Sequence, residues 1–402
     1  MILVEEADKI VQSHLKDFGV EKINFESALG RVLAEDLKSD RDLPPFNRVT
    51  MDGIAINYNA FKKGIRSFHI KTVQAAGDVP VNIHAENECI EIMTGAALPE
   101  TTDTIIRYED LDIQNGIATV IFEPIKQGQC IHAKGKDKKQ NEIVATANEF
   151  ITPALTGMCA SIGKKELLVK RLPRVIIISS GDELTDGDET PSPYQIRGSN
   201  NYIIKAALQQ YSLHADMLHI PDNPETTKQQ IKTCLQQYDI IILSGGISMG
   251  KLDFIPRVLK ELSVENLFYK VQQRPGKPFW FGKHSNGVLV FAFPGNPVSV
   301  FMCLYRYFLP WLKSSLALNS NQNLYAILNE DFSFKIPLQY FLQVKLNMND
   351  KGRLLATPQE GNGSGDFANL LTSDAFMELP LEQDNFTKGE VFRIWPFKEL
   401  VK

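Results

Sequence analysis

The sequence predicts a multidomain protein of the α/β and β class, and three observations lead to this prediction. The chain has 402 residues, more than one hydrophobic core of typical size can organise. Between residues 172 and 316, short apolar runs alternate with helical patterns, which is typical of a parallel sheet with crossover helices. Residues 52–144 and 324–402 instead carry short β-strand patterns between turn residues.

The first forty residues are predicted to be mainly helical. Ala7–Phe18 places apolar residues at helical spacing, and Phe25–Leu37 contains a second amphipathic pattern that Gly30 interrupts. The two prolines after Leu43 end this region, because proline cannot continue a helix. A further helix is predicted at Pro153–Ser161.

The two flanking regions are predicted to form β-structure. In the first, apolar residues alternate with polar ones or run continuously between turn residues. Its predicted strands are Gly53–Ile56, Phe68–Val73, Cys89–Met93, Thr104–Tyr108 and Ala118–Phe122. The second region, Leu324–Lys402, has short apolar segments and turn signals such as Gly361-Asn-Gly-Ser-Gly, which predict a small β-barrel or sandwich.

The central segment is predicted to be a complete α/β domain. Its apolar runs are short and continuous, as expected of strands that are buried on both faces of a sheet. The predicted strands are Val175–Ser180, Ala215–Ile220, Asp239–Leu243, Leu267–Val271 and Gly287–Ala292. The predicted helices are Asn201–Tyr211, Pro224–Gln237, Ile255–Leu262 and Val298–Leu312. Sheets of this kind bind their ligands at the carboxyl ends of the strands.

Glycine-bearing turns at three predicted strand ends favour an anion-binding site. Glycine lets backbone amides approach an anion closely, and a helix that begins at Pro297 offers its N-terminus. Lysine and arginine near these turns add positive charge, so a phosphorylated or otherwise anionic ligand is expected. The candidate ligand-binding residues are Ser244, Gly245, Gly246, Lys270, Arg274, Lys277, Pro294, Asn296 and Pro297.

Acidic residues also follow the predicted strands of the central segment. Asp182 and Glu183 come after the first strand, Asp222 after the second, and Asp253 after the third. In a parallel sheet these carboxylates converge on one rim, where they would suit a magnesium-assisted phosphoryl or nucleotidyl site. The alternative is that Asp182 and Asp222 are turn or helix-cap residues, a common use of aspartate.

Composition excludes several other classes of protein. The net charge of −5 gives no general attraction for nucleic acid. No apolar run approaches the ~18 residues that span a membrane, and the N-terminus has no export signal, so a cytoplasmic protein is expected. Five scattered cysteines without a Cys-x-x-Cys pair favour a reducing compartment and argue against structural zinc.

Taken together, eight motifs in a fixed order resemble the MoeA family, the molybdopterin molybdenumtransferases, over nearly the whole chain. The motifs are Pro44-Pro-Phe with Met51-Asp-Gly, Ile92-Met-Thr-Gly-Ala, Gly135-Lys-Asp, Ser179-Ser-Gly-Asp-Glu-Leu, Ser199-Asn, Ser244-Gly-Gly-Ile-Ser-Met-Gly, Arg274-Pro-Gly-Lys-Pro and Pro294-Gly-Asn-Pro-Val-Ser. The resemblance implies an elongated chain of four domains. These are a helical linker domain (residues 1–45 with 139–171), a β-rich domain (46–138), a MogA-like, molybdopterin-binding α/β domain (172–316) and a C-terminal β-barrel (321–402).

The resemblance also implies a function. The implied reaction is the Mg²⁺-dependent insertion of molybdate into adenylylated molybdopterin, with release of AMP. The implied enzyme is a homodimer, and its cleft lies between the α/β domain of one subunit and the β-rich domain of the other. Implied partners are a MogA-type adenylyltransferase and apo-molybdoenzymes, with no nucleic acid and no membrane. The implied catalytic residues are Asp52, Asp137, Glu183, Asp222 and Asp253, the last three as metal ligands. Further implied ligand-binding residues are Thr94, Ser179, Gly181 and Ser364.

Two alternatives to this function stay open. One is a MogA-type molybdopterin adenylyltransferase, and the other is a paralogue that keeps the fold as a scaffold. Four departures from the family pattern bear on the second alternative. His132-Ala-Lys stands where the family has an arginine-rich run, and Asn47-Arg-Val stands where it has a polar segment. Gly198 stands in place of an acidic residue, and Arg274 in place of a lysine. The acidic residues of the central segment are all present, which argues against a scaffold.

Overall fold

The computed structural model describes residues 1–185, 188–247, 254–318 and 323–398, and three six-stranded sheets organise this part of the chain. The multidomain α/β and β class is therefore confirmed. The α-helices of the described residues are Val4–Gln12, Tyr58–Lys62, Pro153–Ser161, Asn200–Gln209, Pro224–Gln237, Ile255–Glu261, Pro297–Cys303, Leu309–Ser315 and Asn369–Thr372. Within the described ranges, none of these helices has both the length and the apolar character needed to cross a membrane.

The N-terminal segment contains one helix rather than two. Val4–Gln12 is helical, but the prediction of a second helix at Phe25–Leu37 is wrong, since only a 3₁₀ turn at Phe25–Ser27 forms there. Gly30 adopts a left-handed φ of +78°, and its backbone amide bonds to the Ile151 carbonyl instead of to a preceding helical turn. Tertiary pairing thus overrides the local helical pattern.

The predicted helical linker domain is also a mixture of strands and helix. Its strands pair antiparallel, Val20–Asn24 with Glu166–Lys170 and Leu37–Lys38 with Ile143–Ala145. The helix Pro153–Ser161 forms as predicted and packs in a small core with these strands. By contrast, the helix Val4–Gln12 buries its apolar face in the core of the central α/β sheet.

The region after the prolines forms a β-sheet, as predicted, and the structure shows a hydrophobic cluster on each face of it. Its strand order is Thr104–Arg107, Gly53–Ile56, Glu88–Ile92, Ser67–Gln74, Ile117–Val120 and Leu111–Gln114. A separate short pair, Arg48–Val49 with Ile131–His132, lies beside this sheet. This pair brings the segment before Met51 next to the segment before Gly135.

The central sheet is mixed rather than wholly parallel. Its strand order is Ala215–Ile220, Val175–Ser180, Ile240–Ser244, Leu289–Phe293, Trp280–His284 and Val264–Tyr269. The first four strands are parallel, as predicted, and the last two are antiparallel to their neighbours. The strand expected at Leu267–Val271 begins three residues earlier, and Trp280–His284 is not predicted because Gly282 interrupts its apolar run.

Hydrophobic clusters cover both faces of this sheet, which explains the continuous apolar runs of its strands. A short parallel pair, Leu184–Thr185 with Ile196–Arg197, lies beyond the carboxyl end of the strand Val175–Ser180. The long helix predicted at Val298–Leu312 is three consecutive segments, because a π-helical turn at Leu304–Phe308 separates Pro297–Cys303 from Leu309–Ser315.

The π-helical turn carries Arg306, which is 3% exposed and joins three parts of the chain. Its Nη1 donates to Asp8 Oδ1 of the N-terminal helix at 2.8 Å. Its Nε lies 3.4 Å from Glu378 Oε2, and its guanidinium carbon lies 4.4 Å from the centroid of the Trp395 ring, both in the C-terminal region.

The C-terminal region is a closed five-stranded barrel, which decides between the two predicted folds. The strand order is Gln339–Met348, Leu354–Pro358, Leu324–Leu328, Val391–Pro396 and Ala375–Leu379, and the last strand pairs back to the first. A smaller pair joins Phe332–Ser333 to Asn385–Phe386. Gln273–Arg274 from the central domain pairs with Gln339–Tyr340, so the two domains share a sheet edge.

Candidate functional site

The turns after the parallel strands lie side by side at one rim of the central sheet. Ser180, Ser244 and Phe293 end three adjacent strands, and the Gly245 amide donates to the Phe293 carbonyl at 3.2 Å. Gly246 has a φ of +67°, and a Cβ atom there would lie 2.5 Å from Ile255 Cδ1. A side chain at this position would therefore be strained by the positive φ and would displace the end of the buried Ile255 side chain.

Two of the acidic residues meet at this rim. The Ser180 hydroxyl donates to Asp222 Oδ1 at 3.0 Å, and the backbone amide of Asp222 donates to Asp182 Oδ1 at 3.0 Å. Asp182 lies in the turn after the strand Val175–Ser180, and its carboxylate links this turn to the one that follows Ala215–Ile220. Asp222 does not cap the next helix, because Asn223 Oδ1 accepts from the Thr226 amide in that role.

For Glu183 and Asp253, the other two predicted acidic residues, the structure gives less information. The carboxylate of Glu183 lies against Gly181, and its backbone carbonyl accepts from the Ile196 amide at 2.8 Å. Asp253 lies outside the described residues, as does the end of the Ser244-Gly-Gly-Ile-Ser-Met-Gly motif. Among the residues that are described, no three His, Cys, Asp or Glu side chains form a metal-binding group.

A cavity of about 880 Å³ opens above the rim, between the strand ends, the first turn of the helix Asn200–Gln209 and the short pair beyond Ser180. Asn200 Nδ2 donates to Ser244 Oγ at 2.8 Å and to the Gly295 carbonyl at 2.7 Å. Asn200 thus ties the start of the helix to two strand ends. The cavity wall also includes Ser179, Asn296 and Pro297, three of the predicted ligand-binding residues.

A second, smaller cavity of about 390 Å³ lies between the central domain and the barrel. The turn from Arg274 to Pro278 forms one wall, with Arg274 and Lys277 both lining it, and Ser364 of the barrel region lines the other. Asn296 Nδ2 donates to Ser364 Oγ at 2.7 Å across this boundary. Lys270 is not among the described residues that line either cavity.

The turn from Arg274 to Pro278, called the basic turn below, is stabilised by the fully buried side chain of Gln273. Gln273 donates from Nε2 to the Gly276 carbonyl at 2.9 Å, and its Oε1 accepts from the Tyr307 hydroxyl at 2.5 Å. The Arg274 guanidinium lies 5.8 Å from the centroid of the Phe334 ring, which limits its freedom. The turn is therefore positioned before any ligand binds.

The two cavities meet at one residue. Asn296 lines both of them, and Pro294 and Pro297, on either side of it, line the smaller and the larger cavity respectively. The motif Pro294-Gly-Asn-Pro-Val-Ser therefore forms the boundary between a basic cavity and a larger one.

The predicted residues of the β-rich domain form a separate group. Asp52 Oδ1 accepts from the Thr94 amide at 2.6 Å, and this bond, with one from the Thr94 hydroxyl, lowers the pKa of the Asp52 carboxyl. Asp137 Oδ1 lies 2.8 Å from His132 Nε2. Within the described ranges, no hydrogen bond or ion pair joins residues 46–138 to residues 172–316.

Three regional sequence models cover the chain. The MoeA N-terminal region (domain I and II) matches residues 2–163, a probable molybdopterin binding domain matches 176–314, and the MoeA C-terminal region (domain IV) matches 325–397. A molybdopterin molybdenumtransferase of Synechocystis sp. is 35% identical over 98% of this chain and 99% of its own length. The chain belongs to the MoeA family.

Other relatives agree with this assignment. A molybdopterin molybdenumtransferase of Bacillus subtilis is 28% identical over 99% of this chain and 94% of its own length. Two solved structures of the molybdopterin biosynthesis MoeA protein from Pyrococcus horikoshii have TM-scores of 0.83 and 0.82, with 28% and 24% identity. Each match covers 99% of this chain and 100% of the other, so the MoeA fold extends over the whole molecule.

In this MoeA-family chain, the sequence did not indicate several residues that line the cavities. Asn201 Nδ2 donates to Ser179 Oγ at 3.0 Å, and His219 Nδ1 lies 3.2 Å from the same oxygen. Tyr340 and Gln343 of the barrel line the smaller cavity. The paired asparagines after Ser199 gave a signal for the first of these residues, whereas the barrel residues reach the cavity only through tertiary packing.

Proposed function

We propose that this chain is a molybdopterin molybdenumtransferase, which inserts molybdate into adenylylated molybdopterin and releases AMP. The family relationship supports a role in molybdenum cofactor biosynthesis. The structural observation that carries the proposal is the meeting of a small basic cavity and a large cavity at Asn296. An enzyme that joins a small oxyanion to a large organic ligand needs two such neighbouring sites.

The larger cavity suits the organic ligand. Its volume of about 880 Å³ is in the range of small-molecule sites, and apolar side chains such as Leu184 and Met217 line it beside the amides of Asn200 and Asn201. A wall that combines apolar side chains with amide and hydroxyl groups suits a heterocycle that has its own hydrogen-bonding groups. We assign the pterin and its phosphate-linked part to this cavity.

The smaller cavity suits the oxyanion. Arg274 and Lys277 give it positive charge, and the arginine offers a planar fork of N–H donors for two oxygens of one anion. The Ser364 hydroxyl, which accepts from Asn296, can donate its own hydrogen to the same anion. We therefore assign molybdate to this cavity.

The acids of the rim are suited to hold Mg²⁺, because carboxylate oxygens are the ligands this ion prefers. The fit is supported by Asp222, whose carboxylate is oriented by the Ser180 hydroxyl at a strand end, with the Asp182 carboxylate beside it. We propose Asp222, Glu183 and Asp253 as ligands. When bound, Mg²⁺ would offset the negative charge of the phosphates next to the bond that releases AMP.

The residues of the β-rich domain are proposed to complete the cleft from the other subunit of a homodimer. Asp52 is held by Thr94 and Asp137 by His132, so both carboxylates are positioned but open to a partner surface. A two-fold axis would bring each group against the rim of the opposite chain. Asp52 stays ionised and can orient a water molecule or the substrate there.

Release of AMP tests the proposal directly. The purified protein is incubated with adenylylated molybdopterin and Mg²⁺, with and without molybdate, and AMP is measured. Molybdate-dependent release of AMP is expected, together with activity transferred to an apo-molybdoenzyme.

Two controls make the test decisive. Asp222→Asn keeps the shape of the side chain but removes its charge, and it should strongly reduce AMP release without lowering the melting temperature. Consumption of ATP with free molybdopterin instead would establish the MogA-type adenylyltransferase. Inactivity in both assays, with the protein folded, would favour the scaffold.

A further inference from the structure

Gln343 is a buried polar residue on the barrel side of the smaller cavity. It lies in the strand Gln339–Met348, is 9% exposed and lines the cavity opposite the basic turn. Its Oε1 is sheltered from solvent and accepts no hydrogen bond from any described residue. A buried amide without a partner costs free energy, so such groups in folded proteins commonly have a specific role.

The charges around this amide indicate what its partner is. The described lining of the cavity contains the cations Arg274 and Lys277 and no carboxylate. An occupant of this space is therefore an anion, and an anion needs hydrogen-bond donors. Because Oε1 is sheltered, the Nε2 group is the end of the amide that can reach the cavity, and it donates no hydrogen bond to a described residue.

We propose that Gln343 is a specificity-determining residue of the smaller cavity, where its Nε2 donates to a tetrahedral oxyanion held by Arg274 and Lys277. This inference rests on the proposed function, which assigns molybdate to the same cavity. The two cations match the two negative charges of molybdate. A neutral donor adds a directed hydrogen bond without adding a third positive charge. A third charge would bind the anion too tightly, because the anion must move on to the organic ligand.

Binding of sodium molybdate to the full-length protein tests this inference without the organic substrate. Three variants are compared with the unmodified protein by isothermal titration calorimetry. Gln343→Glu has nearly the same shape but replaces the donor with a negative charge. Gln343→Met keeps the volume and removes the hydrogen bond. Asn347→Asp adds a carboxylate at an exposed position of the same strand, roughly 13 Å away.

The variants should separate in a defined order. Gln343→Glu should weaken molybdate binding by at least about tenfold, since hydrogen bonds to charged groups and like-charge repulsion act together. Gln343→Met should weaken it several-fold, and Asn347→Asp should leave it unchanged because salt screens charges at that distance. Melting temperatures establish that every variant is folded.

The outcomes also distinguish this inference from the proposed function. Unchanged binding by folded Gln343→Glu and Gln343→Met would overturn the role of Gln343, even if AMP release remained molybdate-dependent. No measurable binding of molybdate to the unmodified protein would overturn it as well. The expected loss of binding, in a protein that releases no AMP from adenylylated molybdopterin, would instead support the inference and refute the proposed function.

Discussion

The rim of the α/β domain and the acidic group of the β-rich domain are built in different ways. At the rim, strand ends are buried, as for Ser244 at 3% exposure, and side chains are tied to neighbouring elements by hydrogen bonds. In the β-rich domain, the Asp137 side chain is 56% exposed, and its carboxylate lies beside His132, five residues earlier in the chain. The rim is thus organised by its own core, whereas the second group is open to solvent in the single chain.

The largest expected effect comes from the rim. Asp222→Asn should reduce the rate of AMP release by about 100-fold or more, because it removes a proposed metal ligand while leaving the Ser180 contact possible. The rate is measured at saturating adenylylated molybdopterin and molybdate. Asp112→Asn, an exposed change in the β-rich domain, serves as the control. Equal activity in both variants would remove Asp222 from the site.

The packing of the rim gives the second prediction. Gly246→Ala places a Cβ atom against Ile255 and should lower the free energy of unfolding by at least about 2 kcal/mol. Gly116→Ala is the matched control, since its φ of +77° is similar but no atom lies within 4 Å of the added carbon. Gly116→Ala should lower the free energy of unfolding by about 1 kcal/mol. Chemical denaturation measures both, and equal costs would show that the rim is no more tightly packed than a hairpin tip.

The shared cleft can be tested by mixing two inactive proteins. Asp52→Ala and Asp222→Ala place their defects on opposite sides of the proposed cleft. After subunit exchange at equal amounts, half of the molecules are mixed dimers with one intact cleft, so about a quarter of the original activity should return. Subunit exchange is followed by mass spectrometry. Exchange without recovery would place both groups in one chain.

The smallest effect concerns the pKa of Asp52. The Thr94 amide and hydroxyl lower this pKa, so Thr94→Val, which removes the hydroxyl alone, should raise it. A depressed carboxyl pKa contributes stability above the unfolded-state value that is lost as the pH falls through the folded-state value. The pH at which enzymatic activity falls on acidification should therefore be higher in the variant than in the unmodified protein. Carbon NMR titration of the Asp52 carboxyl measures the shift directly, and an unchanged value would show that the hydroxyl has no influence.

The sequence predicted the parts of the molecule that local patterns determine. Continuous apolar runs identified the four parallel strands, and glycine-bearing turns located the rim. It failed where tertiary pairing decides, as at Phe25–Leu37, which pairs with distant segments rather than forming a helix. Gln343 shows the same limit for the site, because its position opposite Arg274 depends on how the barrel packs against the central domain.

The bonds of Arg306 link the first helix of the chain to the barrel strand beside the smaller cavity. Glu378, which faces Arg306, also accepts from Gln339 Nε2 at 2.6 Å, and Gln339 pairs with Gln273 beneath the basic turn. Arg306 thus contacts the same carboxylate that receives a hydrogen bond from the barrel strand beside the cavity. Loss of Asp8 from the N-terminal helix would remove one of the two carboxylates beside the buried guanidinium and leave its Nη1 without this acceptor. The first helix of the chain is therefore connected, through Arg306 and Glu378, to the strand pair that joins the central domain to the barrel.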